Sequence, residues 1–191
     1  METIKHWDEQ LFLYLNGQHQ DWLDSLMFAV TGKLIWVPLY AFFIYLIIKK
    51  FDKSSIWVLA GVGLAILIAD QTASGLMKPF FERLRPCHDP RWEGLMYNYG
   101  GCGGMYGFVS SHAANTFALA IYLNLVLRRY YTGLGWLFLW AAVISFSRVY
   151  LGVHYPMDIV VGGIVGLISG WLGWFLAAKA KRAYAERLRV R

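Results

Sequence analysis

The sequence has few charged residues. Only 16% of its 191 residues are Asp, Glu, Lys or Arg, whereas an ordinary soluble domain carries roughly 25%, and 58% of the residues are hydrophobic. This composition argues against a soluble globular domain. The sequence also lacks a Gly-X-Y period and any self-similarity at a period of roughly 20–50 residues, and 17% of its residues are aromatic. Collagen, a solenoid and a disordered low-complexity chain are therefore excluded.

Cysteine is scarce as well. The two cysteines, Cys87 and Cys102, cannot build a disulfide-dense scaffold or a four-cysteine zinc site, although they can form one disulfide. The chain also lacks the positively charged start and the directly following apolar segment of a secretory signal, because Glu2, Asp8 and Glu9 lie there instead. We therefore expect no cleaved targeting peptide.

What the sequence does have is apolar stretches of membrane-spanning length. A bilayer core takes about 20 apolar residues per helix, and five such stretches cover about residues 26–48, 55–77, 113–127, 134–150 and 157–178. The first contains Thr31-Gly32-Lys33 and Pro38, which can kink it or separate its first turns. The expected fold class is all-α, a polytopic transmembrane helix bundle of about five spans in a single domain over residues 1–191.

Residues 1–20 precede the first span and have the pattern of an amphipathic helix. Ile4, Trp7, Leu11 and Tyr14 recur at helical spacing, with charged residues between them. We expect this helix to lie at the membrane interface. Packing on the bundle without lipid contact is an equal alternative.

The basic residues are distributed unevenly between the two ends of the predicted spans. Eleven of the 18 lie on one side, in segments 49–53, 128–129 and 179–191. By the positive-inside rule this side is cytoplasmic, so the N-terminus, the long loop 78–111 and the turn 152–156 face outward. The basic tail 179–191 is expected to bind anionic membrane lipids, and no nucleic-acid partner is expected.

Reactive side chains are predicted to gather at the outer ends of the spans. Three cations, two histidines and one carboxylate can neutralise, attack and protonate an anionic tetrahedral group such as phosphate. These six residues are Lys78, Arg85, His112, Arg148, His154 and Asp158. Two neighbours are placed outside the site: His88 is expected to be an ordinary loop residue, and Arg83 could as easily pair with Glu82 or Asp89 as touch the substrate.

The ends of two predicted helices favour the same interpretation. Pro156 suits the first position of the last span, which places Asp158 in its first turn and His154 just ahead of it. The carboxylate can then fix the tautomer of the imidazole. Ser110 and Ser111 stand where the third span should be capped, so their hydroxyls and nearby backbone N–H groups can bind an anion.

Three segments together resemble the signature of the type 2 phosphatidic acid phosphatase superfamily, which includes the vanadium haloperoxidases. The segments are Lys-x6-Arg-Pro at 78–86, an approximation of Pro-Ser-Gly-His at 109–112, and Ser-Arg-x5-His-x3-Asp at 147–158. The first and third are complete, whereas Val109 and Ser111 replace the Pro and Gly of the second. The resemblance covers about residues 55–178.

The resemblance implies a phosphatase or diphosphatase that uses no metal and no other cofactor. His154 would attack phosphorus to give a phosphohistidine, Asp158 would orient and stabilise that histidine, and His112 would protonate the leaving oxygen. The phosphate oxygens would be held by Lys78, Arg85, Ser110, Ser111 and Arg148.

The implied substrate is a lipid phosphate or diphosphate, because the reactive groups lie at the outer membrane surface. Undecaprenyl diphosphate is the first expectation, and lipid A, phosphatidic acid and phosphatidylglycerol phosphate are alternatives. A lipid phosphotransferase could use the same phosphohistidine. The implied setting is a bacterial inner membrane with the site on the periplasmic side. A channel is disfavoured, because the span interiors offer mainly Asp70, Asn115 and Asn124 as polar residues.

The two cysteines, one intramembrane acid and the glycines of the last span lead to three further expectations. Cys87 and Cys102 share an outward loop in an oxidising compartment, so we predict a disulfide between them. Asp70 lies inside the second span and is expected to make a structural hydrogen bond, with Asn115 among the candidate partners and a proton relay as the alternative. The glycines at 162, 163, 166 and 170 are typical of close helix packing inside a bundle.

Overall fold

The computed structural model describes residues 2–189, and side chains as far as residue 187. All regular structure in this range is helical. The α-helices, in chain order, are α1 Glu2–Asn16, α2 Asp21–Thr31, α3 Val37–Phe51, α4 Ser55–Asp70, α5 Lys78–Phe81, α6 Ser111–Leu127, α7 Trp136–Tyr150 and α8 Pro156–Arg189. The predicted all-α bundle is confirmed. The first residue of the N-terminal segment and the last two of the basic tail lie outside the described residues.

The expected first span is divided, which corrects its predicted bounds. Helix α2 ends at Thr31, a 3-10 turn covers Leu34–Trp36, and α3 begins at Val37. Pro38 occupies the first turn of α3, where its missing N–H costs nothing. The physical reason for the division lies in α2 itself, because it packs on α7 and buries Asp24, whose carboxylate accepts a hydrogen bond from the Tyr150 hydroxyl at 2.6 Å.

Two helical stretches are long and apolar enough to cross a membrane, residues 34–81 and 156–187. The first is broken at Asp52, where φ is +44°, and α3 and α4 pack against each other on either side of that break. This stretch therefore forms two packed helices and not one continuous rod. Helices α6 and α7 are apolar but shorter, with 17 and 15 residues.

Helix α6 forms the centre of the bundle and contacts α4, α7 and α8. Its side facing α8 contains alanines together with Phe117 and Ile121, and α8 places glycines opposite them. A Cβ at Gly166 would collide with the carbonyl oxygen of Ala114, and one at Gly170 with that of Ala118. The two backbones approach so closely that only glycine fits, which confirms the predicted packing of small residues.

Helix α8 continues beyond the predicted end of the last span. The expected tail from residue 179 is helical as far as Arg189. Its residues are mainly Ala, Lys, Arg, Glu and Leu, which are strong helix formers, and the segment contains no Gly or Pro to end the helix.

The second span has a π-helical segment near its end. Helix α4 continues through this segment, Gln71–Met77, into the single turn α5, and the helix stops at Glu82, where φ is +46°. Such π-helical segments occur often at functional sites, because they change which side chains face the neighbouring helix. Here the segment directs Ser74 towards the start of α6, where its hydroxyl lies 2.7 Å from that of Ser111.

The long loop between α5 and α6 folds back on itself. Leu84 and Tyr106 form an isolated antiparallel bridge, and Cys87 is joined to Cys102 by the predicted disulfide, with their Cα atoms 5.9 Å apart. The amide N–H of Gly107 donates to the carbonyl of Arg83 at 2.8 Å. These contacts fix the backbone around Arg83 and Arg85 at the end of the bundle.

Candidate active site

The three motif segments meet at one end of the bundle. Lys78 begins α5, Arg85 lies in the long loop, Ser110 precedes α6, Arg148 lies in the last turn of α7 and His154 in the turn before α8. The carbonyl of Asp158 in α8 accepts a hydrogen bond from the amide of Ser110 at 3.0 Å, which joins the second motif to the third.

His154 and Asp158 form a buried pair. The imidazole Nδ1 lies 3.3 Å from Oδ2 of the carboxylate, and the two side chains are 2% and 0% exposed. Oδ2 also accepts the amide N–H of Tyr155 at 3.0 Å. This is the return contact of a capping box, in which an acidic residue in the first helical turn binds the N–H of the capping residue. The start of α8 therefore fixes the carboxylate against the histidine.

The environment of His154 favours a neutral imidazole. Burial lowers the pKa of His154 to about 4, and the Asp158 carboxylate acts in the opposite direction without cancelling that effect. With Nδ1 facing the carboxylate, the proton is favoured on Nδ1 and the lone pair on Nε2. Nε2 then points away from Asp158 with its lone pair free.

Arg83 belongs to this site, which corrects its placement outside it; its partners are also other carboxylates than Glu82 and Asp89. Its Nη1 donates to Oδ1 of Asp158 at 2.9 Å, and its Nη2 donates to Asp8 at 2.7 Å. Arg83 occupies a variable position of the first motif, and Asp8 lies outside all three motifs, about 150 positions from Asp158 in the sequence. Charge and hydropathy patterns in the sequence carry no signal that would have joined them.

Ser111 and Lys78 interact directly. The Lys78 ammonium donates to the Ser111 hydroxyl at 2.6 Å, and the hydroxyls of Ser111 and Ser74 are 2.7 Å apart. The family pattern has glycine at the position of Ser111. In this chain the extra hydroxyl therefore holds the lysine at the N-terminal end of α6, where the helix dipole also favours an anion.

The two arginines of the motifs are held by different parts of the chain. Arg85 donates from Nη1 to the carbonyl of Cys102 at 2.9 Å and from Nε to that of Tyr106 at 3.2 Å. Burial lowers the pKa of Arg85. Arg148 donates from Nη1 to the Thr31 hydroxyl at 2.9 Å. Thr31 ends α2, so this helix contributes to the site although it carries none of the family motifs.

Two buried polar atoms in the site have no hydrogen-bond partner within the described part of the chain. They are Nε of Arg148 and the hydroxyl oxygen of Ser110. A buried donor without a partner costs about 1–3 kcal/mol. A phosphate oxygen would satisfy both groups, which is why the donor set fits an anion.

The long loop between α5 and α6 passes close to the His154–Asp158 pair at Gly107. A Cβ there would lie 3.0 Å from Oδ2 of Asp158 and 3.2 Å from Cγ of Arg85. The absence of a side chain at Gly107 therefore lets the backbone pass close to both residues. His88, in contrast, is exposed and its ring contacts the carbonyl of Gly103, as expected for a loop residue.

A cavity of about 440 Å³ opens beside His112. Ser111 and His112 line one end, and the walls are mostly apolar side chains of α3, α4, α6 and α7, including Tyr40, Ile47 and Ile144. The cavity thus connects the predicted proton donor with an apolar space inside the bundle.

Asp70 lies in the wall of this cavity. The amide of Asn115 donates to its Oδ1 at 3.3 Å. This contact confirms the expected structural hydrogen bond to Asn115, and the alternative of a proton relay stays a prediction.

Comparison with known proteins identifies the family of this chain. The profile of the PAP2 superfamily matches residues 56–182. The chain belongs to the PAP2 superfamily. This PAP2 protein is an integral membrane phosphatase, as the motif resemblance implied.

Relatives of this PAP2 phosphatase differ in the substrate that their names give. It is 40% identical to a lipid A 4'-phosphatase of Bacteroides thetaiotaomicron over 182 residues, which cover 94% of this chain and 80% of the relative. It is 27% identical to an undecaprenyl-diphosphatase of Sulfolobus acidocaldarius over 160 residues, which cover 82% and 72% of the two chains.

The fold is shared with a solved member of the superfamily. The crystal structure of a transmembrane PAP2 type phosphatidylglycerolphosphate phosphatase from Bacillus subtilis superposes with a TM-score of 0.68 at 20% identity, covering 96% of this chain and 88% of that one. The whole bundle, including the N-terminal helices that lack motif residues, is therefore common to both proteins.

Proposed function

We propose that this PAP2 phosphatase hydrolyses a lipid A-type phosphate monoester through a phosphohistidine on His154. The catalytic part of the proposal is carried by the His154–Asp158 pair, in which the carboxylate faces Nδ1 and leaves Nε2 as the nucleophile. The substrate part is supported by the higher identity to the lipid A 4'-phosphatase than to the undecaprenyl-diphosphatase. Undecaprenyl diphosphate, the first expectation from the sequence, becomes the second candidate.

The proposed reaction has two displacements at phosphorus. Nε2 of His154 forms a bond to phosphorus while the bond to the sugar oxygen breaks, and His112 gives its proton to that oxygen. Water then attacks the phosphohistidine, His112 takes a proton from this water, and the N–P bond breaks to release phosphate. The Asp158 carboxylate stabilises the histidine in each step as it gains positive charge.

The phosphate oxygens are assigned to five residues. Lys78, Arg85 and Arg148 supply positive charge, and Ser110 and Ser111 supply hydroxyl and backbone donors. The partnerless Nε of Arg148 and hydroxyl of Ser110 support this assignment, because charge-assisted hydrogen bonds to an anion would satisfy them. The arrangement uses this chain's own donors for every phosphate contact.

The cavity beside His112 supports a lipid substrate. A leaving group that takes its proton from His112 must lie next to that side chain, and the adjoining space is apolar and about 440 Å³ in volume. Ligand pockets commonly have this size and an apolar lining. We assign the cavity to part of the lipid that bears the phosphate.

The orientation in the membrane follows from the charges. The basic segments 49–53 and 128–129 and the basic end of α8 lie at the opposite ends of the spans from His154. The positive-inside rule therefore supports an outward, periplasmic site in a bacterial inner membrane, with the C-terminus in the cytoplasm. The N-terminal helix would then lie at the outer interface, and the whole chain would form one catalytic domain.

The test is phosphate release by the purified protein in detergent from lipid A, undecaprenyl diphosphate and phosphatidic acid, each with and without EDTA. We expect the highest kcat/KM on lipid A, full activity with EDTA, and release without an added acceptor. A tenfold preference for undecaprenyl diphosphate would overturn the substrate assignment. Release only with an acceptor would favour a phosphotransferase.

The mechanism is tested with two histidine variants and a matched control. His154→Ala should abolish the acid-labile phosphoenzyme trapped from ³²P-labelled substrate, and His112→Ala should reduce kcat by at least about 100-fold. His88→Ala, in the same outer region but exposed, should keep the wild-type rate. Activity near the wild-type rate in His154→Ala would refute the phosphohistidine.

A further inference from the structure

Helix α1 buries three polar residues as well as Phe12 against the bundle, and it leaves large apolar side chains exposed. Asp8, Glu9 and Asn16 are buried, whereas Trp7 is 70% exposed and Tyr14 is 66% exposed. A helix that packs by hydrophobic burial alone would show the reverse pattern. Specific polar contacts therefore hold α1 at the active-site end.

Asp8 makes two of these contacts, and both lead to the start of α8. Its Oδ2 accepts from Arg83 at 2.7 Å, and its Oδ1 accepts the amide N–H of Met157 at 2.8 Å. Met157 is the residue before Asp158, so one carboxylate holds both the first turn of α8 and the guanidinium that binds Asp158.

The Arg83 guanidinium is fixed on three sides. Asp8 and Asp158 bind two of its nitrogens, and its plane lies over the ring of Tyr155 with 3.9 Å between Cζ and the ring centroid. Tyr155 is itself buried against Phe12 of α1, with ring centroids 5.3 Å apart. A guanidinium held in this way can keep Asp158 in only one orientation.

The charges in this chain of contacts alternate. Two buried carboxylates share the Arg83 guanidinium. Because Asp8 neutralises part of its positive charge, Arg83 weakens the interaction of Asp158 with His154 less than an unshared guanidinium would. Burial raises the pKa of Asp8, and the hydrogen bond from Arg83 acts against that rise. If Asp8 lost its charge, Asp158 would have to balance the whole positive charge of Arg83.

We propose that Asp8, acting through Arg83, is a positioning residue for the Asp158 carboxylate, which makes α1 part of the catalytic apparatus. This inference depends on the proposed phosphohistidine mechanism, because it gives Asp8 an effect on the step at His154. Asp8 and Arg83 touch no reacting atom in that mechanism, so their loss should slow the chemistry and leave substrate binding nearly unchanged.

The chain offers a matched control on the same helix. Glu9 follows Asp8 and accepts from Nη2 of Arg91 at 2.9 Å, so it also joins α1 to the long loop by an ion pair. Arg91 binds Asp89 in turn and does not contact Asp158. Loss of the Glu9–Arg91 ion pair removes a similar contact between α1 and the loop without changing the charges next to His154 and Asp158.

The first experiment compares Asp8→Asn and Glu9→Gln in steady-state and single-turnover assays on lipid A. Asp8→Asn keeps an oxygen for the Met157 N–H while removing the charge. Its kcat and its rate of phosphoenzyme formation should both fall by about tenfold, as for other partners that orient a reactive group, with KM within about twofold. Glu9→Gln should stay within about twofold of the wild type in all three measurements.

The second experiment asks whether Asp8 acts through Arg83. If it does, Asp8→Asn should cause no further loss of kcat in an Arg83→Gln background, because coupled residues are not additive. Should Asp8→Asn fail to fold, Arg83→Lys makes the same prediction for kcat, since lysine keeps the charge but cannot bind both carboxylates through a planar fork.

The outcomes separate this inference from the proposed mechanism. Three results would each overturn the positioning role and leave the mechanism intact. They are an unchanged kcat in Asp8→Asn, an equal loss of kcat in Glu9→Gln, and multiplicative losses of kcat in the double variant. Phosphatase activity in His154→Ala would instead refute the mechanism on which the inference depends.

Discussion

The Lys78 ammonium donates a hydrogen bond of 2.6 Å to the hydroxyl of Ser111. Ser111 stands where the family pattern has glycine, and its hydroxyl also contacts Ser74 from the π-helical segment. The chain has thus added a side-chain contact that fixes the direction of one of its three phosphate-site cations. Removal of this contact should therefore reduce catalytic efficiency.

Ser111→Ala should lower kcat/KM by about tenfold, because a hydrogen bond to a charged group contributes roughly 1.5–3 kcal/mol and water can replace part of it. The measurement is steady-state phosphate release. Ser25→Ala, whose exposed hydroxyl bonds only to the Asp21 carbonyl, serves as the control and should have no effect. An equal loss in both variants would contradict a specific role for the Lys78 contact.

The pKa of His154 should be well below that of a free histidine. Burial lowers it from 6.5 to about 4, so the imidazole should be neutral at pH 6. Because the unfolded chain binds the proton more tightly, His154 should stabilise the fold above pH 6.5, and this contribution should be lost as the pH falls from about 6.5 towards about 4.

An NMR titration of ¹⁵N-labelled histidine in detergent, assigned with His154→Gln, checks this pKa. Asp158→Asn should lower the pKa further, because it removes the carboxylate that favours the imidazolium. A midpoint at or above 6.5 in the wild-type protein would contradict the burial of a neutral ring.

Gly107→Ala should reduce kcat by about 100-fold, because displacement of reacting groups by about 1 Å can have an effect of that size. The new Cβ would lie 3.0 Å from Oδ2 of Asp158 and 3.5 Å from Nδ1 of His154, so the dyad would have to move. Gly104→Ala is the matched control in the same loop, since nothing lies within 4 Å of its Cβ position. Equal activity of the two variants would show that the loop gives way instead.

Reduction of the Cys87–Cys102 disulfide should destabilise the outer loop. The bridge closes a sequence separation of 15, for which the loop-closure contribution is about 3 kcal/mol. Because Arg85 donates to the Cys102 carbonyl, the Cys87→Ser/Cys102→Ser variant should show both a lower melting temperature and a higher KM.

Dithiothreitol should reproduce these changes in the wild-type protein and leave the double variant unaffected. Thiol titration of the denatured protein should find two more thiols after reduction than before it. Equal counts would rule the disulfide out.

The sequence predicted the elements that depend on local composition. Apolar length and residue type gave the positions of α4, α6 and α7 within a few residues, because a membrane span needs a continuous apolar stretch and charged residues mark its ends. The first span was less predictable. Thr31-Gly32-Lys33 indicated a weak point, but whether the chain bends or breaks there depends on α2 packing against α7, a contact between segments more than 100 residues apart.

The candidate active site was likewise predictable from the sequence only where its residues lie close together in the chain. Motif spacing alone brought His154 within reach of Asp158, since four residues across a helix start place two side chains together. Arg83 was placed outside the site because the nearest carboxylates in the sequence are Glu82 and Asp89, whereas the folded chain places Asp8 and Asp158 on either side of it.

The sequence by itself predicted a helical membrane protein, the candidate residues for binding and attacking phosphate, and the two cysteines of the disulfide. Each follows from local composition or from short spacings, which the backbone geometry of a helix or a tight turn converts directly into proximity. Only the tertiary structure decided that α1 buries Asp8, Glu9 and Asn16, that Asp8 and Thr31 reach Arg83 and Arg148, and that an apolar cavity lies beside His112. Those relationships depend on how helices far apart in the sequence pack together, and no local pattern encodes that packing.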